Sequence, residues 1–166
     1  MNEVWNLDPI YKGFDDPAFE ADLANAKGAI AQFAAHVQNL ENGEPKETLR
    51  RGIELQETIS AYAEKLGLYA SLRQSADTRD PDAASQMGRL MAVYSSIAAP
   101  EAAFQAWAAK LPNLEELIAS DEVLKEYAFL LGNMQKSSRY LLSGRGEEIM
   151  ARMRLSGGNA WSDLQG

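Results

Sequence analysis

Along the first half of the chain, apolar residues recur at alternating intervals of three and four, the spacing that lines one face of an α-helix. Phe19, Leu23, Ala26, Ile30, Phe33, Val37 and Leu40 form the first such stripe. Asp15-Asp16-Pro17 stands in front of it. Asp16 can accept hydrogen bonds from first-turn amides and Pro17 already holds a helical φ, so a helix is predicted to begin there. Asn42-Gly43 supplies the stop. A second helix is predicted to open after Glu44-Pro45 and run to about Ser75, carrying Leu49, Ile53, Ile59, Tyr62, Leu66 and Tyr69, with Leu55 and Leu72 broadening its apolar face. Asp80-Pro81 repeats the acid-then-proline start, and Ala84, Met87, Met91, Tyr94 and Ala98 follow at helical spacing in a third long helix.

Pro100 falls inside the apparent continuation of that helix through Phe104, Trp107 and Leu111. An interior proline removes a backbone hydrogen bond and clashes with the preceding turn, so a kink or a break is expected. Leu111-Pro112-Asn113 ends the element, and Leu114 to Ala119 leaves room for about one turn. Ser120-Asp121 then caps a fourth helix whose apolar set is Val123, Tyr127, Leu130 and Met134, with Leu124 and Leu131 beside it, fading near Ser137-Ser138. A fifth, shorter helix is expected over Glu147 to Arg154. The tail from Ser156 to Gly166 carries turn chemistry and then Trp161, and reads as an element left open. Sustained apolar–polar alternation is missing, and alanine, leucine, glutamate and lysine are plentiful. The fold class expected is all-α: one domain over residues 1–166, an antiparallel bundle of about five helices with a long helical hairpin.

Composition narrows the function. The 166 residues are 46% apolar, enough for a real core. Twenty-four acidic against sixteen basic side chains give a net charge of −8, and the basic residues are scattered, so nucleic acid is not an expected partner. There is no cysteine and one histidine, His36. That excludes thiolate nucleophiles, Cys-ligated zinc and iron–sulfur clusters. It also excludes the paired histidines of zinc-peptidase helices and di-iron bundles. The amino terminus has no basic region followed by an apolar stretch, and no segment is apolar enough over about 20 residues to span a bilayer. A cytoplasmic protein without a membrane partner is expected.

Few residues offer chemistry. His36 lies one position off the first stripe with no carboxylate three or four residues before it, so it reads as a boundary residue. The pairs Asp15-Asp16, Glu115-Glu116 and Glu147-Glu148 are adjacent, which on a helix points them about 100° apart, and they read as caps and first-turn charges. Arg50-Arg51, Arg139, Arg145, Arg152 and Arg154 could grip an anion, but nearby glutamates favour helix-surface ion pairs. Tyr62, Tyr69, Tyr94, Trp107, Tyr127 and Tyr140 follow the apolar stripes, and core packing is favoured over a stacking groove. The glycines around Arg145 and at 157–158 match no phosphate-binding loop.

Several passages, taken in order, resemble oligoendopeptidase F, a branch of the thimet-oligopeptidase-like zinc metallopeptidases, in its N-terminal helical region. Trp5-Asn6-Leu7-Asp8-Pro9-Ile10-Tyr11 is similar to the family's opening, with Asp15 to Leu23 following in the expected place. Asp121 to Tyr127, Tyr140-Leu141-Leu142-Ser143 and Glu147-Glu148-Ile149-Met150 resemble later segments, and Ser156 to Trp161 is similar to the family's Thr-Gly-x-x-Ala-Trp element. Asn6, Tyr140, Gly144 and Gly146 depart from the pattern.

The resemblance implies a helical domain that packs on a catalytic domain of the same polypeptide and walls a channel for short peptides. The zinc of such enzymes is held by a His-Glu-x-x-His helix and a later glutamate, none of which this chain contains. No catalytic, cofactor-binding or metal residue is therefore assigned here, and this chain alone is not expected to be an enzyme. The alternative is a freestanding helical protein-interaction module. Under either reading an apolar contact surface could support a homodimer.

Overall fold

A computed structural model describes residues 6–138 of the chain. Its helices are α1 (Pro17–Val37), α2 (Pro45–Ala76), α3 (Pro81–Ser95), α4 (Ala98–Ala108), α5 (Leu114–Ala119), α6 (Glu122–Glu126) and α7 (Ala128–Ser138), with a single 3-10 turn at Leu40–Asn42. The described residues contain no strand, so the all-α expectation holds. The helix expected at 147–154, and the carboxylates, arginines, Tyr140 and glycines beyond 138, lie outside the described residues.

The start signals work as the sequence implies. Asp16 accepts from the Ala18 amide at 2.9 Å, Glu44 from the Glu47 amide at 3.0 Å, and Asp80 from the Asp82 and Ala83 amides at 2.9 and 3.2 Å. Each of these caps is followed by proline in the first turn. Asp121 caps α6 through the Val123 and Leu124 amides without a proline. Such a cap stabilises a helix by about 1 kcal/mol.

α1 and α2 form the long hairpin. Asp22 meets Lys65 near one end, and His36 meets the Thr48 carbonyl near the other, which fixes the pair as antiparallel. The next rod, α3 and α4, runs back along α2, from the Arg73–Asp80 pair to the contact of Phe104 with the backbone at Gly52. α5, α6 and α7 close the end where α2 begins. Two apolar clusters fill the bundle. One gathers Phe33, Leu49, Ile53, Phe104, Leu124 and Leu131. The other gathers Tyr11, Phe19, Leu23, Leu66, Tyr69 and Leu90. Val93 and Tyr94 touch both.

Four details differ from the sequence reading. α1 ends at Val37, before the expected stop at Asn42-Gly43, and Leu40–Asn42 forms the separate 3-10 turn. The third rod breaks at Ser96-Ile97 rather than at the proline, and Pro100 falls in the first turn of α4, where a missing amide hydrogen leaves no bond unmade. Met87 and Tyr94 pack against the core as expected, but the fully buried residues of α3 are Ala83 and Leu90, while Ala84 and Ala98 are exposed and Met91 is 67% exposed. Leu90 takes the core in preference to Met91, and Arg89 beside it pairs with Glu20 on α1. The fourth helix is two pieces, separated at Tyr127, and its buried residues are Leu124 and Leu131 instead of Leu130. No proline or glycine stands at that break. The Tyr127 hydroxyl is bonded to Glu57 on α2.

Candidate functional site

The residues singled out for chemistry are engaged in structure. His36 Nε2 lies 2.9 Å from the Thr48 carbonyl oxygen, pinning the end of α1 to the first turns of α2. Asp16 is a cap, and its carboxyl sits below the usual range because the Lys12 and Ala18 amides donate to it. Asp15, Glu115 and Glu116 are exposed. Arg50 reaches Glu47, Glu54 and the capping Asp121 at 3.4, 3.5 and 3.9 Å, and Arg51 reaches Glu54 at 3.6 Å, so both arginines form the surface pairs their spacing suggests.

The tyrosines divide between two environments. Tyr69 is buried against Tyr11 and Phe14 with ring centroids 5.1 and 5.2 Å apart, edge to face. Tyr11 donates its hydroxyl to Asp22 at 2.6 Å, and Lys65 holds the same carboxylate at 2.7 Å. Burial opposes the charge on Asp22, but these two hydrogen bonds outweigh it and hold the carboxyl below its usual range. The Tyr11 hydroxyl is raised far above a free phenol by burial and by that carboxylate. Tyr94, between the two clusters, has a buried hydroxyl with no hydrogen-bond partner among the described residues, and burial raises it to about 12. Tyr127 is also raised to about 12, first by its hydrogen bond to Glu57 and then by burial.

No nucleophile and base come together among these groups, and among the described residues no set of three or more His, Asp or Glu side chains could hold a metal ion. Zinc does not fit the residues described. No helix of the described residues is long and apolar enough to cross a membrane. The surface does contain open grooves. One lies between α1 and α3, lined by Lys27, Ile30, Ala34 and Val93. A second, of about 300 Å³, runs between α2, α4 and α7 beside Glu57 and Tyr127. The sequence reading placed no weight on Glu57, Glu101 or Gln105, which line this second groove. Glu101 and Gln105 are one turn apart on α4, but Glu57 is on α2, and no spacing along the chain links it to them.

Nothing in this geometry specifies a reaction, and its helices α5 to α7 belong to a stretch with a known relative. Residues 108–166 match the family model described as oligopeptidase F. The match agrees with the resemblance drawn from the sequence, and it covers α5, α6 and α7 together with the residues beyond 138. It supports reading this stretch as part of a peptidase N-terminal domain. No curated protein and no solved structure matches the chain.

Proposed function

We propose that this chain is the N-terminal, non-catalytic helical domain of an oligoendopeptidase F-like zinc metalloendopeptidase, packing on the catalytic domain and walling its peptide channel in the cytoplasm. The observation that carries this reading is the family match over residues 108–166. The all-α architecture and the absence of a convergent nucleophile and base among the described residues are consistent with a role in shape. In the whole enzyme, zinc would polarise the peptide carbonyl and activate water, and its ligands would come from outside this chain, which has one histidine and no cysteine. What these residues contribute is a rigid wall: capped helices, a hairpin stapled by Asp22–Lys65 and His36–Thr48, and ion pairs between helices.

The purified 166-residue chain, supplied with zinc and a quenched peptide, should show no chelator-sensitive cleavage. The source gene should continue in frame past Gly166 to a His-Glu-x-x-His motif. Cleavage by the isolated chain would refute the reading, and a stop codon directly after Gly166 would favour a freestanding interaction module.

A further inference from the structure

The groove between α2, α4 and α7 combines an apolar lining with charge that the protein leaves unmatched. Ile53, Leu130 and Met134 line it together with Glu57, Glu101 and Gln105. Several acidic groups nearby on α2 and α6 have cations, with Glu47, Glu54 and Asp121 sharing Arg50 and Glu122 pairing with Lys125, while Glu64 and Glu126 stand outside this groove. Among the described residues Glu57 and Glu101 take part in no ion pair, and Glu57 is met only by the neutral Tyr127 hydroxyl. The same part of α7 exposes its largest apolar side chains. Phe129 is 83% exposed and Leu130 45%, in a protein whose other large apolar residues are mostly in the core.

We propose that this groove docks an amphipathic helix of a partner protein, one that sets lysine or arginine beside leucine, methionine or phenylalanine anchors. Three helices bound the groove, so a further helix can lay an apolar ridge along Ile53, Leu130 and Met134 in the manner of helix-in-groove recognition. A cation on that helix meets Glu57 and Glu101 in charge-assisted hydrogen bonds that the docked helix shields from water. An acidic helix would meet both carboxylates and a net charge of −8, and is rejected. The inference goes beyond the peptidase reading and does not depend on it, since the groove is built by residues of this chain alone.

The test uses the full chain and a fluorescein-labelled amphipathic helix built only of leucine and lysine, followed by fluorescence anisotropy. Saturable binding is expected. Glu101→Lys should weaken it about tenfold or more, and Leu130→Ser should weaken it several-fold. Glu41→Lys makes the same charge change on the exposed connection between α1 and α2, and should alter affinity by less than about twofold. Circular dichroism of each variant confirms folding, and both groove positions are accessible enough to be replaced without disturbing the core. A leucine–glutamate peptide of the same pattern should not bind. Equal losses in Glu41→Lys and Glu101→Lys would reduce the effect to net charge and overturn the proposal. So would equal binding of the acidic peptide, or no anisotropy change. Sedimentation showing a dimer that Leu130→Ser abolishes would assign the groove to a second copy of the chain and also overturn it. Each of these results can fall either way while the peptidase assay and the reading frame decide the other proposal.

Discussion

Where α1 begins and α2 finishes, four aromatic rings meet at centroid distances of 5.1–5.4 Å, and a ring of ion pairs surrounds them: Asp22–Lys65, Arg73–Asp80 and Arg89–Glu20. Where α1 finishes and α2 begins, the core is mainly aliphatic around two aromatic contacts, Phe104 with Phe33 and with Trp107, and α4 approaches α2 closely enough that the Phe104 ring lies on the backbone of Gly52. The first end is fastened by directed polar contacts around aromatic edges; the second has polar contacts too, His36–Thr48 and Arg50–Asp121 among them, but its core is held by shape. Polar contacts respond to pH and salt, and shape responds to volume, so the same kind of perturbation should act differently at the two ends.

The largest difference should come from volume. Phe104 is fully buried, and Phe104→Ala should cost about 3–5 kcal/mol through lost transfer energy and the cavity left behind. Thermal unfolding followed by circular dichroism measures it, and a loss below about 1 kcal/mol would mean that α4 is loosely held. Glycine substitutions within α2 sharpen the comparison. A Cβ at position 52 would overlap the Phe104 ring, whereas one at position 67 meets nothing within 4 Å. Helix propensity favours alanine at both sites by about 1 kcal/mol. Gly67→Ala should therefore stabilise by about 0.5–1 kcal/mol. Gly52→Ala should destabilise by about 1–3 kcal/mol, because overpacking outweighs propensity. Changes of the same sign at both positions would erase the proposed difference between the ends.

Acid should act on the other end, with a smaller effect because its carboxylates remain partly hydrated. Asp16, Glu20, Asp22 and Asp80 all lie there, and all are held below their usual range in the folded chain. Lowered carboxylates mean that the unfolded chain binds more protons as pH falls through the ordinary carboxylate range near 4. Their contribution is complete above that range and is lost as pH falls through the folded values. Amide exchange around Leu66 to Ala70 should accelerate between about pH 5 and 3 before exchange around Leu49 to Ile53 does. Simultaneous loss at both ends would show one cooperative unit without a pH-sensitive half.

Much of this architecture was legible because local chemistry agreed with burial. The starts at Asp16-Pro17, Glu44-Pro45 and Asp80-Pro81 need only a capping side chain and a fixed φ, and all three stand where the sequence places them. The stripe of α1 is equally direct: Phe19, Leu23, Ala26, Ile30 and Phe33 are all buried. α3 misled because alanine carries little burial energy and methionine fits either face. The pair Ala83 and Leu90 and the pair Ala84 and Met91 therefore look alike along the sequence, and only packing against α1 and α2 separates them. The Tyr127 hydroxyl meets Glu57, 70 residues earlier, and the groove beside it is built by residues from three helices. Such features exist only once the chain has folded.

The smallest effect tests the seam between the two ends. Tyr94 touches both clusters, yet its hydroxyl is buried without a hydrogen-bond partner among the described residues, whereas Tyr11 in the same region donates to Asp22. A buried hydroxyl that makes no hydrogen bond has lost its water for nothing in return, and removing it relieves that desolvation. Tyr94→Phe keeps the ring and should stabilise the protein by up to about 1 kcal/mol, raising the melting temperature by a few degrees. The tyrosine absorbance that titrates at about pH 12 should lose one group in the variant. A destabilised Tyr94→Phe would mean that an internal water bridges this hydroxyl to the backbone, and the seam would then be a third polar fastening instead of a purely apolar joint.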